Sequence, residues 1–246
     1  MRVIFLSSVL VILLLGSVAG RAEPLKILAG QIPHVFHQQT PGPHNLFFEQ
    51  VVRPSVGNHE VKFLSYRRAM RDFAERRADC LYIAIDNIDD YPIDRVDRNH
   101  IRFSEPINSI GLRLYTRPGD APVTAYQDLK DKVIVGAGSH LKMLEPHVGL
   151  DWGITTLVVE TEVKAFELLD KHRVDVVVSV DFDTRLFEQA HNRGPYSYDK
   201  NLVLAAWDEV MTCWHSENTA VVLSRVNKAI AEARATGLTA SIFSAD

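Results

Sequence analysis

The chain has 246 residues with 27 basic and 31 acidic side chains, a formal net charge of −4 at pH 7. This mildly acidic balance, without any basic run, argues against nucleic acid or an anionic membrane surface as a partner. Apolar residues make up 46% of the chain, the share of an ordinary globular protein with one large domain or two smaller ones.

The first 22 residues have the pattern of a secretory leader. A short basic start, Met1-Arg2, precedes a nearly unbroken apolar run from Val3 to Val18, and small residues follow up to Ala22. At about 16 residues, that run is short for a helix that spans a membrane. We expect a signal peptide at residues 1–22 and export of the rest to the periplasm, with an uncleaved anchor as the alternative.

Helical and strand patterns alternate through the first half of the chain. The loop from Gln31 to Phe36 follows the first strand, at the end where binding loops of parallel sheets lie. The predicted elements are a strand at Leu25–Gly30, a helix capped by Asn45 and ended by Pro54 and Gly57, a strand at Val61–Leu64, a helix at Tyr66–Arg77, a strand at Cys80–Ile85 and a polar loop at Asp86–Asn99.

One unit occurs twice in the sequence. It consists of a helix end, a basic turn, an aspartate, a short apolar strand and an acidic residue after the strand. The copies are Ala74–Asp79, Cys80–Ile85 and Asp86, and then Asp170–Asp175, Val176–Val180 and Asp181. Continuous apolar strands that follow helices are typical of parallel sheets, whose ligands bind at the carboxyl ends of the strands. We therefore expect two lobes whose strand ends face one ligand.

The second half of the chain continues the alternation and then returns to the first lobe. We predict lobe 1 at residues 23–115 plus 205–246 and lobe 2 at 116–204, joined by a hinge of two segments. The predicted elements are a strand at Gly111–Arg117, a short helix at Ala125–Leu129, strands at Lys132–Val135 and Leu157–Val159, helices from Thr161 and at Arg185–His191, extended segments at Leu202–Ala206 and Val210–Trp214, and a closing helix at Ser224–Ala235 stopped by Gly237.

The sequence contains two cysteines, Cys80 and Cys213. Export would allow them to form a disulfide. Because Cys80 opens an inner strand, and disulfides across strands are uncommon, we favour two buried free thiols.

Four segments together resemble the extracellular solute-binding proteins of family 3, which serve ABC transporters. The resemblance covers nearly the whole chain after the leader. It implies an α/β fold of the periplasmic-binding-protein type II, with two α/β lobes joined by a two-segment hinge. The segments are Ile101–Pro106, which is similar to hydrophobic-Asp-Phe-Ser-x-Pro; Tyr126–Val135, similar to Asp-Leu-Lys-Gly-Lys-x-Val; Arg173–Val178, similar to Gly-x-Val-Asp-Ala-Val; and the final helix and tail, Ser224–Phe243.

The resemblance also implies how a free amino acid would be held. Phe36 would pack on the ligand with Gln31 nearby, and Gly138-Ser139 would bind its α-carboxylate at a helix start. The family's carboxylate-clamping arginine is displaced here, because Asp97 stands in its position with Arg95 and Arg98 to either side. The groups near the α-amino group would be Tyr82, Ala84, Asp86 and Asp181.

The function expected from these features is capture of a small polar solute, an amino acid or a related small organic ion. The solute would be delivered to an inner-membrane ABC permease or reported to a membrane sensor, by a monomer without cofactor, metal or catalytic residues. The glycine-rich turn at Gly136–Gly138 lacks the full dinucleotide fingerprint. The alternatives are a dehydratase that acts on prephenate or arogenate and a sensory partner without a transport role.

Overall fold

The computed structural model describes residues 23–87 and 98–244. The leader, Arg95 and most of the loop predicted at Asp86–Asn99 lie outside the described residues. The strands are β1 (Lys26–Gln31), β2 (Glu60–Ser65), β3 (Cys80–Ile85), β4 (Ile101–Phe103), β5 (Asn108–Tyr115), β6 (Val133–Gly136), β7 (Thr155–Val158), β8 (Val176–Val180) and β9 (Ala205–Trp214).

Helices cover the described strands and connect most of them. Short 3-10 turns lie at Arg98–His100, Tyr126–Leu129 and Glu145–His147. The α-helices are α1 (Pro43–Phe47), α2 (Arg53–Val56), α3 (Tyr66–Ala74), α4 (Gly138–Leu144), α5 (Glu162–Asp170), α6 (Asp181–His191), α7 (Glu217–Ala235) and α8 (Leu238–Phe243). Within the described residues, no helix is long and apolar enough to cross a membrane.

Two parallel groups of strands are joined into one sheet by β5. The order is β2-β1-β3-β9-β5-β8-β6-β7, with β4 paired to β9. The first half of β5 pairs with β9, from Asn108 opposite Glu209, and its second half pairs with β8, up to Tyr115 opposite Val177. The carboxyl ends of β1 and β3 on one side, and of β6 and β8 on the other, therefore face a common space beside β5.

The repeated unit predicted from the sequence builds the same contact in both groups. A carboxylate oxygen of Asp79 accepts a hydrogen bond from the Lys26 N–H at 2.7 Å, at the start of β1. The Asp175 carboxylate accepts one from the Val133 N–H at 2.8 Å, at the start of β6. Each aspartate thus satisfies an open backbone donor at a strand end and fixes the register of two parallel strands.

The first long helix begins earlier than predicted and continues through Pro54, although it ends at Gly57 as predicted. It begins at Pro43, and Asn45 lies in its first turn with its side-chain oxygen accepting from the Gly42 N–H at 2.9 Å. A π turn at Phe48–Val52 follows, and the chain then enters α2 with Pro54 in its first turn. Proline is tolerated at such a position because the N–H it lacks has no helical partner there. The helix therefore continues through Pro54 and ends at Gly57.

Two later helices begin earlier than their sequence patterns indicated. Helix α6 starts at Asp181 directly after β8, four residues before the predicted start at Arg185. Helix α7 starts at Glu217, where the Ser216 side chain accepts from the Thr219 N–H at 3.2 Å as an N-cap. The first turn of each helix is mostly polar, with Phe182 as the one large apolar residue, so apolar periodicity alone did not reveal these two starts.

The chain end also differs from its prediction. Two extended segments were predicted between residues 202 and 214, but the structure has one continuous strand there, β9. The short helix α8 then follows Gly237 and was not predicted.

The prediction of free thiols is wrong, because Cys80 and Cys213 form a disulfide with their Cα atoms 4.0 Å apart. The two residues are directly opposite each other in the antiparallel pair of β3 and β9. The sequence indicated that Cys80 lies on an inner strand, but not that β9 is the neighbour of that strand.

Candidate functional site

A cavity of about 130 Å³ lies where the ends of the two parallel strand groups face each other. Its walls come from β3 and α3 on one side, from α4 and the start of α6 on the other, and from β5 and β9 between them. The lining residues are Ile32, Tyr66, Met70, Ile83, Ala84, Ile85, Ile110, Ser139, His140, Met143, Val180, Asp183, Trp207 and Glu209.

The backbone is strained where β3 reaches this cavity. Ile83 has a φ of +58°, a left-handed conformation that β-branched residues rarely adopt. The pairing of β3 with β9 shifts register between Tyr82 and Ala84, so Ile83 is the extra residue of a bulge. The bulge changes the direction of the last residues of β3, Ala84 and Ile85, which line the cavity.

Asp183 is the acidic residue of the cavity that lacks a described partner. Within residues 23–87 and 98–244, its carboxylate has neither a hydrogen-bond donor nor a cation paired with it. Burial raises the pKa of Asp183 well above its ordinary value, and the negative charges of Glu162, Glu209 and Asp181 raise it further. The cavity therefore contains an acidic group whose charge the described protein does not neutralise.

Glu209, in contrast, is fully engaged by the protein. It is 4% exposed, and its carboxylate lies 2.9 Å from His44 Nε2 and accepts a hydrogen bond from Asn108 Nδ2 at 2.8 Å. Burial alone would raise its pKa, but the His44 imidazole and the Asn108 amide lower it. The other ring nitrogen of His44 lies 3.2 Å from the Tyr82 hydroxyl, which completes a buried network.

Tyr66 and His140 add neutral polar groups to the cavity. Burial, followed by the charges of Glu209 and Asp183, raises the pKa of the Tyr66 phenol, which stays protonated at neutral pH. Burial lowers the pKa of His140 to about 4 despite a hydrogen bond with the Val178 backbone, so this imidazole is neutral at pH 7. Both groups can exchange hydrogen bonds with a ligand without adding charge.

Apart from Ser139, the rest of the lining is apolar, and no lysine or arginine of the described chain contributes to it. Two methionines, Met70 and Met143, face the space together with Trp207. Methionine and tryptophan suit an apolar ligand body. The arrangement can enclose a small molecule that combines such a body with one polar group.

The residues named from the sequence are divided between this cavity and other places. Ala84 and Ser139 line it, and Gly138 is the first residue of the helix that carries Ser139. The Gln31 side chain accepts from the Gln38 N–H at 3.1 Å. Of Arg98 only the backbone is described, at the start of a 3-10 turn.

Phe36 and Tyr82 belong to an aromatic cluster inside the first lobe. Phe36 is 1% exposed, with its ring 5.5 Å from that of Phe63 and 5.1 Å from that of Tyr82. The Tyr82 hydroxyl donates to the backbone oxygen of His44 at 3.3 Å. Both rings are therefore part of the wall behind the cavity rather than of its surface.

The two strand-end aspartates contact the joining strands instead of the cavity. Asp86 accepts from the Asp208 N–H at 3.1 Å, on β9. Asp181 accepts from the Gly111 N–H and from Arg113 Nε, each at 2.9 Å, on β5. Asp181 lines a separate groove of about 370 Å³.

Sequence reasoning missed the main polar groups of the cavity, namely Tyr66, His140, Asp183 and Glu209. Starting α6 at Asp181 would have placed Asp183 in a first helical turn at the carboxyl end of β8, where ligands of parallel sheets bind. Glu209 carried no local signal, since its partner His44 is 165 residues away.

The fold defined by these strands, helices and cleft is that of the two-lobed type II periplasmic binding proteins. Among solved structures, the chain is similar to a mutant of ArgBP from T. maritima, with a TM-score of 0.66, 16% identity and coverage of 89% of this chain and 92% of that one. It is also similar to the GluR0 ligand-binding core from Nostoc punctiforme in complex with glutamate, with a TM-score of 0.67, 17% identity and coverage of 89% and 97%.

A third similar structure is the ancestral amino acid-binding protein AncCDT-1, described as a precursor of cyclohexadienyl dehydratase. Its TM-score is 0.60 at 14% identity, with coverage of 89% of this chain and 93% of that one. No protein-family model and no curated protein matches the sequence. At these identities the comparison shows a shared fold, and a fold of this kind hosts several functions.

Proposed function

We propose that this protein is a solute-binding protein that closes two lobes over one small organic molecule. The observation that carries the proposal is the cavity between the strand ends, with Ala84 and Asp183 on opposite walls. In two-lobed proteins of this kind, a ligand that contacts both lobes stabilises the closed arrangement over the open one. Delivery to an inner-membrane permease, or to a sensor, remains the expectation for the step after capture.

The local chemistry of the cavity supports binding of a ligand by several means at once. The apolar walls remove ligand surface from water, while Tyr66, His140 and Asp183 provide directional contacts. Asp183 opposes folding at neutral pH in the absence of a ligand, because its carboxyl must either be ionised without a partner or be held protonated above its ordinary pKa. Such a group is typical of a functional site that a ligand completes.

The proposal is tested by thermal unfolding with a panel of amino acids, small carboxylates, alkylamines and polyamines. A compound that binds the folded state raises the melting temperature in proportion to the logarithm of its concentration. We expect this rise in the wild-type protein and not in Ser139→Trp, whose indole would fill the cavity. Ser224→Trp, at an exposed position on α7, is the matched control and should respond like the wild type. A panel without any stabilising compound would contradict the proposal.

A dehydratase is the second candidate, and one observation favours it. An acid whose pKa is raised in an apolar cavity, as for Asp183, is the group that general acid catalysis requires. The size of the cavity argues against it, because prephenate-like acids are bulky and carry carboxylates that would face Asp183 and Glu209. Incubation with prephenate and arogenate, followed by product detection, separates the two functions; turnover that Asp183→Asn abolishes would establish the enzyme.

A further inference from the structure

The charges around the cavity define the class of ligand that fits it. Glu209 already has a partner, since His44 Nε2 lies 2.9 Å from its carboxylate and Asn108 donates to the same oxygen. Asp183 has no described partner, and no described lysine or arginine lines the space. Asp183 is therefore the carboxyl of the cavity that a ligand can pair with, and a positive charge on the ligand would favour its ionised form.

The walls and the volume define the rest of the ligand. The cavity measures about 130 Å³. An apolar cavity of about 150 Å³ is known to hold benzene, so this space suits a body of about six heavy atoms. The side chains that would contact this body, Met70, Met143 and Trp207, are apolar or aromatic. A strongly polar body would lose hydration here without gaining partners.

Building on the solute-binding function above, we propose that the cleft binds a small organic monocation, a primary ammonium with a compact apolar body. The ammonium contacts the Asp183 carboxylate and the Tyr66 hydroxyl oxygen. The body lies between the two methionines and Trp207. The ligand class is thus an alkylamine rather than a free amino acid.

A free α-amino acid fits this site poorly, although similar folds bind amino acids. Its α-carboxylate would lie in the same small space as Asp183 and Glu209, and no described cation is present to receive it. Like charges at such short range in a partly desolvated site repel each other more strongly than they do in water. A diamine also fits poorly, because its second ammonium would meet the apolar walls or a Glu209 that is already paired.

Protonation adds a dependence on pH to this binding. The groups that face Asp183 are Glu162 on α5, Glu209 on β9, Asp181 on its own helix, and the neutral Tyr66 and His140. Burial and the neighbouring carboxylates raise the pKa of Asp183, so acid removes the charge that an ammonium needs. Affinity for an alkylamine should therefore increase as the pH rises from 5 toward 8.

The test is isothermal titration calorimetry with four ligands of matched skeleton or size at pH 7.5. Isoamylamine is the monocation, leucine adds the α-carboxylate, isoamyl alcohol removes the charge, and putrescine is a dication. We expect measurable binding of isoamylamine, and weaker or undetectable binding of the other three. Asp183→Asn should weaken isoamylamine binding about ten- to a hundredfold, the usual effect of losing a hydrogen bond to a charged group. Asp151→Asn, which removes an exposed carboxylate elsewhere, should leave it unchanged.

The outcomes separate the inference from the proposed function. Three results would contradict a monocationic ligand and leave the solute-binding function in place. They are tighter binding of leucine or putrescine than of isoamylamine, equal binding of isoamyl alcohol, and an unchanged affinity in Asp183→Asn. The inference also fails if none of the four binds while another panel compound does. If no compound of the wider panel binds, the solute-binding function itself fails. If Asp183→Asn does not fold, the affinity of the wild-type protein for isoamylamine is compared at pH 5.5 and pH 8 instead. Tighter binding at pH 8 supports the contact between the ammonium and Asp183, and an affinity independent of pH contradicts it.

Discussion

Asp183 is the residue on which the account of the cleft depends most. Its pKa is higher in the folded protein than in the unfolded chain, because burial and three neighbouring carboxylates disfavour its ionised form. The folded state therefore retains a proton that the unfolded state has released. The stability that the protonated form provides is complete below the unfolded pKa of about 3.9 and is lost as the pH rises through the folded value.

Replacing Asp183 with asparagine should stabilise the ligand-free protein at neutral pH. Asparagine keeps the shape but does not titrate, so the cost of holding the Asp183 carboxyl protonated, or ionised without a partner, disappears. We expect a higher melting temperature for Asp183→Asn than for the wild type at pH 7.5, by roughly 2–4 °C for each kcal/mol. The difference should vanish at pH 4 and below. A lower melting temperature at pH 7.5 would show that the carboxylate makes a stabilising contact instead.

The residues of the site were only partly predictable from the sequence. Asp86 and Asp181 were expected to face the ligand because each follows a buried strand. In the structure both carboxylates accept backbone hydrogen bonds from the joining strands, a role that depends on β5 and β9 lying next to them. Asp183 escaped notice because the first turn of α6 has a single large apolar residue, Phe182, which is too few to show a helical period.

The bulge in β3 is the element that shapes one wall of the cavity. Ile83 is 3% exposed and has a φ of +58°, so its side chain is well packed while its backbone is strained. A non-glycine residue in such a conformation costs of order 1–3 kcal/mol. This strain is maintained by the pairing on both sides of the bulge.

Substitution by glycine distinguishes the energetic cost of the strained backbone at Ile83 from the stabilisation that its buried side chain provides. Ile83→Gly loses the buried side chain but relieves the left-handed backbone, which glycine adopts freely. Ile27 on the neighbouring strand is completely buried and has no positive φ, so Ile27→Gly loses the side chain without relief. We expect Ile83→Gly to lower the free energy of unfolding by about 1–3 kcal/mol less than Ile27→Gly in urea titrations. Equal losses would indicate that Ile83 stores no strain.

Strands and helices were predicted correctly where a single sequence pattern indicated them, and wrongly where a second signal, such as a proline or a polar cap, was also present. The repeated units gave β3 and β8 at their observed positions, since continuous apolar runs between aspartates have few other interpretations. The π turn before Pro54 was not predicted, because a proline usually ends a helix. Here the π turn changes the hydrogen-bonding pattern, and the helix continues past Pro54. The start of α7 depends on a polar cap at Ser216, eight residues before the predicted start at Ser224.

At the scale of the whole molecule, the disulfide joins β3 to the returning strand β9. The two cysteines are 133 residues apart in the sequence, and the loop that they close runs from β3 to β9. A crosslink over such a loop restricts the unfolded chain, and native disulfides typically contribute 2–5 kcal/mol. The bond also fixes β9 next to the strand whose end lines the cavity.

Removal of this crosslink should weaken the fold without changing its architecture. We expect the double variant Cys80→Ala, Cys213→Ala to lose about 2–5 kcal/mol in the free energy of unfolding, measured in urea. Wild-type protein unfolded in dithiothreitol should show a similar loss. Two free thiols titrated in denatured protein prepared without reductant would contradict the disulfide.

The type II fold was predictable from the sequence as a whole, whereas the character of its cleft was not. Four separated segments and the repeated units indicated the fold class, but not the order of the strands in the sheet. The charge and polarity of the cleft arise from contacts between distant parts of the chain, such as His44 with Glu209. Local patterns do not encode such contacts.

The most direct test of the central claim is a crystal structure of the protein grown with the panel compound that raises its melting temperature most. We expect electron density for that compound between Ala84 on one lobe and Asp183 on the other, with both lobes in contact with it. Density located instead in the groove beside Asp181, or an empty cleft in crystals that contain the bound compound elsewhere, would contradict it.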